Sequence, residues 1–174
     1  MTKVLLKTNQ VSQVKFELMQ HIDLPQVVEI MSEVNLGIWR IDDYKEELGR
    51  NDSYLLTAKE CQNVIGFIAV RFTLADTNNK SICLEADIIN IGVLKNHQGK
   101  GIGSALLNKF LISARQLKIK TVWLEVRESN IKAQKFYRLN GFVQVQKRIS
   151  FYTQPLEDAL IMQVELADSL EISS

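Results

Sequence analysis

The sequence is short of the residues that announce many specialised chemistries. It has two cysteines, Cys61 and Cys83, and two histidines, His21 and His97. Neither cysteine has a second cysteine or a histidine at ligand spacing, so no metal site is expected. Both read as buried, reduced thiols in strand-like contexts. Charge of one sign is lacking too. Twenty-one basic residues face 20 acidic ones, leaving a net charge of +1. Such a balance gives no global attraction to nucleic acid or to anionic lipid. No apolar run approaches the roughly 20 residues of a membrane span. Met1 to Val14 holds no continuous apolar stretch, so no secretion signal is expected and the reading is cytoplasmic. Repeats, low-complexity tracts and linkers are absent as well. The 174 residues therefore read as one domain, residues 1–174, with a flexible leader at 1–12 and a flexible tail at 167–174.

What is present is an ordinary globular mixture, 46% hydrophobic and 24% charged, enough to bury a core. Lys15 to Met19 suits a short strand. Asp23 is a candidate N-cap for a helix with Pro25 in its first turn, carrying Val27, Val28, Ile30, Met31 and Val34 to a stop near Gly37. A second helix is expected from Asp42 or Asp43, with Tyr44 and Leu48 inward. The period then shortens. Ser53 to Lys59, Val64 to Thr73 and Ile82 to Leu94 read as strands, with a polar turn at residues 76–80. The last is the longest strand-like run and nearly all apolar, as a strand buried on both faces requires. A helix from about Gly101 to Leu117 follows, then a strand from Thr121 to Val126. Asn130 is a good N-cap for a short helix that Asn140-Gly141 stops. Strands at Phe142 to Ile149 and Ala159 to Leu166, split by a loop at Pro155, complete the chain. This order predicts an α/β fold with a mixed, mostly antiparallel central sheet flanked by helices.

Three glycines, Gly99, Gly101 and Gly103, alternate at the turn between the apolar strand and the following helix. Missing side chains let a ligand approach the backbone. The helix start adds unpaired N–H groups and the positive end of a dipole. Lys100 adds charge at the rim. The pattern suits an anion, and a pyrophosphate is the natural guest. The spacing of a Walker P-loop is absent. A dinucleotide pattern is nearly met by Gly99, Gly101 and Ser104, with Glu125 about where a ribose acid would fall. Against it stand the long connection from Val93 to Gly99 and the helices that open the fold. A plain glycine-rich helix start is the bland alternative.

Gln98-Gly99-Lys100-Gly101-Ile102-Gly103 resembles the Q/R-x-x-G-x-G/A motif of the GCN5-related N-acetyltransferases (GNAT). Asn90-Ile91-Gly92-Val93 looks like the bulged strand before that motif. Trp123 to Asn130 and Phe136 to Phe142 look like the strand and helix after it. In detail the run is similar to the RimI-type enzymes, which acetylate the N-terminal alanine of a small-subunit ribosomal protein. The strong match covers roughly residues 82–166. Two prolines common in the family are replaced, by Lys95 and by Ile38.

The resemblance implies acetyl-CoA as co-substrate, no metal, and a protein N-terminus as acceptor. It implies Glu125 as the base that takes the ammonium proton and Tyr137 as the acid that protonates the departing thiolate. The bland readings are an ion-paired strand carboxylate and a half-buried helix tyrosine. Ile91, Gly92 and Val93 should offer backbone groups to the pantetheine arm and thioester oxygen. Gln98, Gly99, Lys100, Gly101, Ile102 and Gly103 should hold the pyrophosphate. Asn130 should both cap its helix and touch the cofactor. His97 reads as an exposed loop residue. Trp39 and the Pro155 loop should shape the acceptor groove. Two rival functions remain open on sequence: the same transfer to a small-molecule amine, and a non-catalytic acyl-CoA-binding module.

Overall fold

The computed structural model describes residues 14–37, 39–77 and 81–166. The expected leader, the expected tail and residues 78–80 of the expected turn lie outside them. The elements are β1 (Lys15–Leu18), α1 (Leu24–Val34), α2 (Ile41–Leu48), β2 (Ser53–Glu60), β3 (Asn63–Thr77), β4 (Ser81–Val93), α3 (Ile102–Gln116), β5 (Thr121–Arg127), α4 (Ile131–Leu139), β6 (Val143–Thr153) and β7 (Leu156–Glu165). Among the described residues this is the order that the sequence periods predict. The strands form one sheet in the order β1-β2-β3-β4-β5-β7-β6. Every neighbouring pair is antiparallel except β4 and β5.

The sheet is covered on both faces because its central strands are apolar on both. On one face Ile68, Val70, Ala86, Val122 and Leu124 pack with Leu106, Phe110 and Ala114 of α3. On the other, Leu55, Phe67 and Ala69 pack with Val27, Ile30 and Met31 of α1 and Tyr44 of α2. Burying a side chain of this size contributes about 1.5–3 kcal/mol, so the two clusters fix which face each helix covers. α1 stops at Asn35, which adopts a left-handed φ of 56°.

One irregularity makes the site. In the β3–β4 ladder Ala69 pairs with Asn90 and Val70 with Ile88, so Ile89 is an extra residue on β4. A bulge bends its strand. β4 runs beside β5 only from Glu85–Thr121 to Ile88–Leu124. Beyond the bulge, Ile91, Gly92 and Val93 keep β3 as partner and lose β5. The two parallel strands therefore splay at their C-terminal ends. The sequence places the bulge within Asn90–Val93; the extra residue is Ile89, immediately before it.

Other expectations need correction. Asp23 makes no side-chain bond to the start of α1. Its buried carboxylate accepts from Gln20 N at 2.9 Å and pairs with Lys59 Nζ at 2.9 Å, because that lysine needs a counter-charge where it is buried. α2 starts at Ile41, ahead of Asp42, because Asp43 accepts from Arg40 N and caps the turn from inside the helix. The longest strand is β3, not β4, because it pairs with β4 as far as Thr77 and also extends to Asn63 against β2, past the last residue of β4. Cys61 is exposed in the β2–β3 turn and Cys83 is half-buried, so neither is a core thiol. β6 does not stop at Ile149. It continues to Thr153 and joins β7 across a tight turn at a cis Gln154–Pro155 bond. An irregularity between Arg148 and Tyr152, with Ser150 at φ 53°, interrupts its alternation and hides its length in the sequence.

Candidate active site

The splayed ends of β4 and β5 open into a continuous cleft of about 1670 Å³. The glycine turn and the starts of α3 and α4 line one part. The α1–α2 connection, with Leu36 and Trp39, and the β6–β7 hairpin from Phe151 to Pro155 line the other. Eleven of the sequence-predicted residues line this one cleft: Glu125, Tyr137, Ile91, Gly92, Val93, Gln98, Gly99, Gly101, Ile102, Gly103 and Asn130. Lys100 does not; it is exposed outside the cleft.

The turn has the shape that a phosphate-bearing ligand needs. Gly99 and Gly101 have φ of 76° and 82°, and a side chain built on either would meet nothing within 4 Å. Their conformation favours glycine, and the space beside them is open. Gly101 leads directly into α3, whose first N–H groups have no intrahelical partner. The residues present thus fit a pyrophosphate on a helix N-terminus.

Gly92 is glycine for a different reason. A Cβ there would lie 2.8 Å from Leu36 Cδ1 and 2.9 Å from Phe67 Cε1. Its missing side chain lets the α1–α2 connection close on the sheet, while its backbone lines the cleft. Nearby, Asn90 Nδ2 donates to Tyr44 Oη at 3.1 Å, and Tyr44 packs against Trp39 with centroids 4.9 Å apart and the rings tilted by 57°. The bulged strand therefore holds the wall that carries Trp39.

Glu125 projects from β5 on the Trp123 face. Its Oε1 accepts from Arg148 of β6, not from neighbouring Arg127. Arg148 stands opposite Ala159 of β7, and that small residue lets the guanidinium reach across β7. Arg127 is held elsewhere. Its nitrogens bond Glu157 Oε2 at 3.0 Å and Gln154 O at 3.1 Å, and its guanidinium lies 3.9 Å from the Tyr152 ring centroid. Asp87, which the sequence reading passed over, lines the same part of the cleft. Burial, then the Glu85 and Glu125 carboxylates, hold its carboxyl above the usual aspartate range.

Tyr137 is 8% exposed and packs between Phe136 and Phe142. Burial pushes its phenol above the ordinary tyrosine value, with a smaller push from Tyr152. The phenol therefore keeps its proton through the neutral and mildly alkaline range, which suits a donor. Asn130 caps α4 by accepting from Ala133 N at 3.0 Å. His97 faces Asn96 and Glu60 through its two ring nitrogens. Among the described residues no group of histidine, cysteine and carboxylate side chains could hold a metal, and no helix is long and apolar enough to cross a membrane.

The acetyltransferase (GNAT) family matches residues 24–142. A Haemophilus influenzae protein named [ribosomal protein bS18]-alanine N-acetyltransferase is 34% identical over 144 residues, spanning 80% of this chain and 90% of that protein. The Escherichia coli protein of the same name is 36% identical over 85 residues, 48% of this chain and 57% of that protein. Among solved structures, the Escherichia coli ribosomal-protein-S18-alanine N-acetyltransferase superposes with a TM-score of 0.77 at 24% identity, covering 93% of this chain and 99% of the other. Arabidopsis thaliana NAA60 in complex with acetyl-CoA gives 0.80 at 17% identity, covering 88% and 99%. The chain belongs to the acetyltransferase (GNAT) family. It is an acetyl-CoA-dependent N-acetyltransferase of RimI type.

Proposed function

We propose that this protein transfers acetyl from acetyl-CoA to the N-terminal α-amine of a protein, the N-terminal alanine of a small-subunit ribosomal protein. The observation that carries the reading is the convergence of Glu125, Tyr137 and the glycine turn on one cleft. The name and 90% coverage of the Haemophilus influenzae relative support the choice of acceptor. Such an acceptor implies work in the cytoplasm.

Bound acetyl-CoA supplies the thioester carbonyl. Gln98 to Gly103 hold the phosphates by backbone N–H groups. Ile91, Gly92 and Val93 offer main-chain groups that β5 has left unpaired. Asn130 orients the start of α4 toward the same ligand. Glu125 accepts the ammonium proton through the oxygen that Arg148 does not bind, directly or through water. An α-amine titrates near ~7.7–8.0 against ~10.4 for lysine, so a carboxylate base is adequate for the former. Tyr137 returns a proton to the departing sulfur. Trp39 and the Phe151–Pro155 segment flank the acceptor's approach.

Intact-mass analysis of N-terminal peptides incubated with enzyme and acetyl-CoA tests the reading. The expected result is one added acetyl on the alanine peptide, with Glu125→Gln slower by about 10²-fold and cofactor affinity retained. Acetylation of polyamines or aminoglycosides in preference to every peptide would move the acceptor to small amines. Tight CoA binding with no transfer to either panel would make the protein a binding module.

A further inference from the structure

Lys132, in the first turn of α4, lines the cleft together with Gln98 and the glycine turn. Its Nζ donates to Gln98 Oε1 at 2.5 Å. Gln98 Nε2 donates in turn to the Val93 carbonyl at 2.9 Å. The Gln98 amide is therefore a bracket between the end of β4 and the start of α4. Both ends of that amide are engaged inside the protein.

The bracket holds a cation without neutralising it. An amide oxygen carries no formal charge, and among the described residues no carboxylate lies within ion-pair distance of Lys132. Lysine side chains give up considerable rotamer freedom when they are held. The start of α3, with its dipole end and unpaired N–H groups, opens into the same space. His97, also at this end, already faces Glu60. Lys100, the cation that sequence spacing favours, lies outside the cleft. Lys132 is solvent-exposed, so water also reaches its ammonium; two positive features nevertheless converge from two helices on one part of the cleft, where an anionic ligand would meet both.

We propose that Lys132 supplies the charged side-chain contact to the pyrophosphate of acetyl-CoA, with Gln98 as the residue that positions it. The proposal rests on the acetyl-CoA reading above. Gln98 opens the glycine turn, so a lysine seated on it faces the phosphates nearest that turn. The adenosine 3′-phosphate is the alternative source of the same chemistry, and the test separates the two.

The experiment compares wild type, Lys132→Gln and Lys132→Arg with three donors: acetyl-CoA, 3′-dephospho-acetyl-CoA and acetyl-pantetheine, the last without phosphate. Lys132→Gln should raise KM about tenfold for the first two donors and leave acetyl-pantetheine turnover, kcat and the peptide KM unchanged. Lys132→Arg should restore most of the affinity. The rise of KM with added salt should be shallower in Lys132→Gln than in wild type. An unchanged KM for acetyl-CoA overturns the proposal. A loss confined to acetyl-CoA assigns Lys132 to the 3′-phosphate and overturns the pyrophosphate contact. An equal loss with acetyl-pantetheine makes the role structural and overturns it too. Failure of the acetyl-CoA reading itself looks different: wild type would then transfer acetyl from none of the three donors.

Discussion

Arg148 of β6 holds the Glu125 carboxylate from two strands away, and the same guanidinium stacks 4.2 Å from the Phe151 ring centroid. The two contacts tie Glu125 to the hairpin whose Phe151–Pro155 segment lines the cleft. Both partners are substantially solvent-exposed, 48% for the Arg148 side chain and 33% for Glu125. The pair should therefore matter more for orientation than for folding. Arg148→Ala is expected to cost under ~1 kcal/mol in urea unfolding while lowering kcat severalfold. The double variant Arg148→Ala/Glu125→Gln should turn over no more slowly than Glu125→Gln alone, since both changes disable one unit. Additive losses in that cycle would place Arg148 in a separate role.

Arg127 should govern the acceptor and leave the cofactor alone. It fastens Tyr152, Gln154 and Glu157 of the hairpin to β5. Arg127→Gln should raise the peptide KM about tenfold, the scale of losing a charged hydrogen bond, with the acetyl-CoA KM unchanged. Steady-state kinetics with each substrate varied in turn checks this. A matching rise in the acetyl-CoA KM would contradict it.

Gly92→Ala should destabilise the fold by roughly 1–3 kcal/mol, the usual cost of overpacking. The added methyl meets Leu36 and Phe67 at less than 3.0 Å, and Phe67 sits fully buried in the sheet. Urea unfolding measures the cost. A stability equal to wild type would mean that the α1–α2 connection yields freely.

Stability should fall on the alkaline side. Burial raises the phenols of Tyr44 and Tyr137 above the ordinary tyrosine value. The folded chain then holds protons that the unfolded chain releases above about pH 10. The contribution is intact below that pH and is lost progressively above it. Unfolding free energies measured from pH 8 to 11 should show the decline, and Tyr137→Phe should make it shallower. Identical slopes for the variant and wild type would argue against burial of that phenol in solution.

Much of this was legible because it is local. Val27, Ile30 and Met31 recur at helical spacing, and the apolar run through Ile88 and Ile91 marks a central strand. The glycines at 99 and 101 mark a left-handed backbone that glycine adopts most readily. Asn130 caps the helix it precedes. Errors came where a residue serves a distant partner. Asp23 looks like a cap and instead answers the buried Lys59. Cys61 lies between two strand-like runs in sequence but is exposed on the hairpin turn that joins them, at φ 47°. Gly92 invites a ligand argument, and its missing Cβ is explained by Leu36 and Phe67.

The sequence by itself determined the element order, the glycine turn on a helix start, and the family motif that points to acetyl-CoA. These depend on neighbours within a few positions, where side-chain period and backbone freedom act directly. Only the tertiary structure decided where each cation is held. Arg148 over Arg127 at Glu125, and Lys132 over Lys100 at the glycine turn, follow from strand register and from a bulge at Ile89 that parts β4 from β5. Contacts between residues tens of positions apart are set by how elements pack, and no local period encodes them.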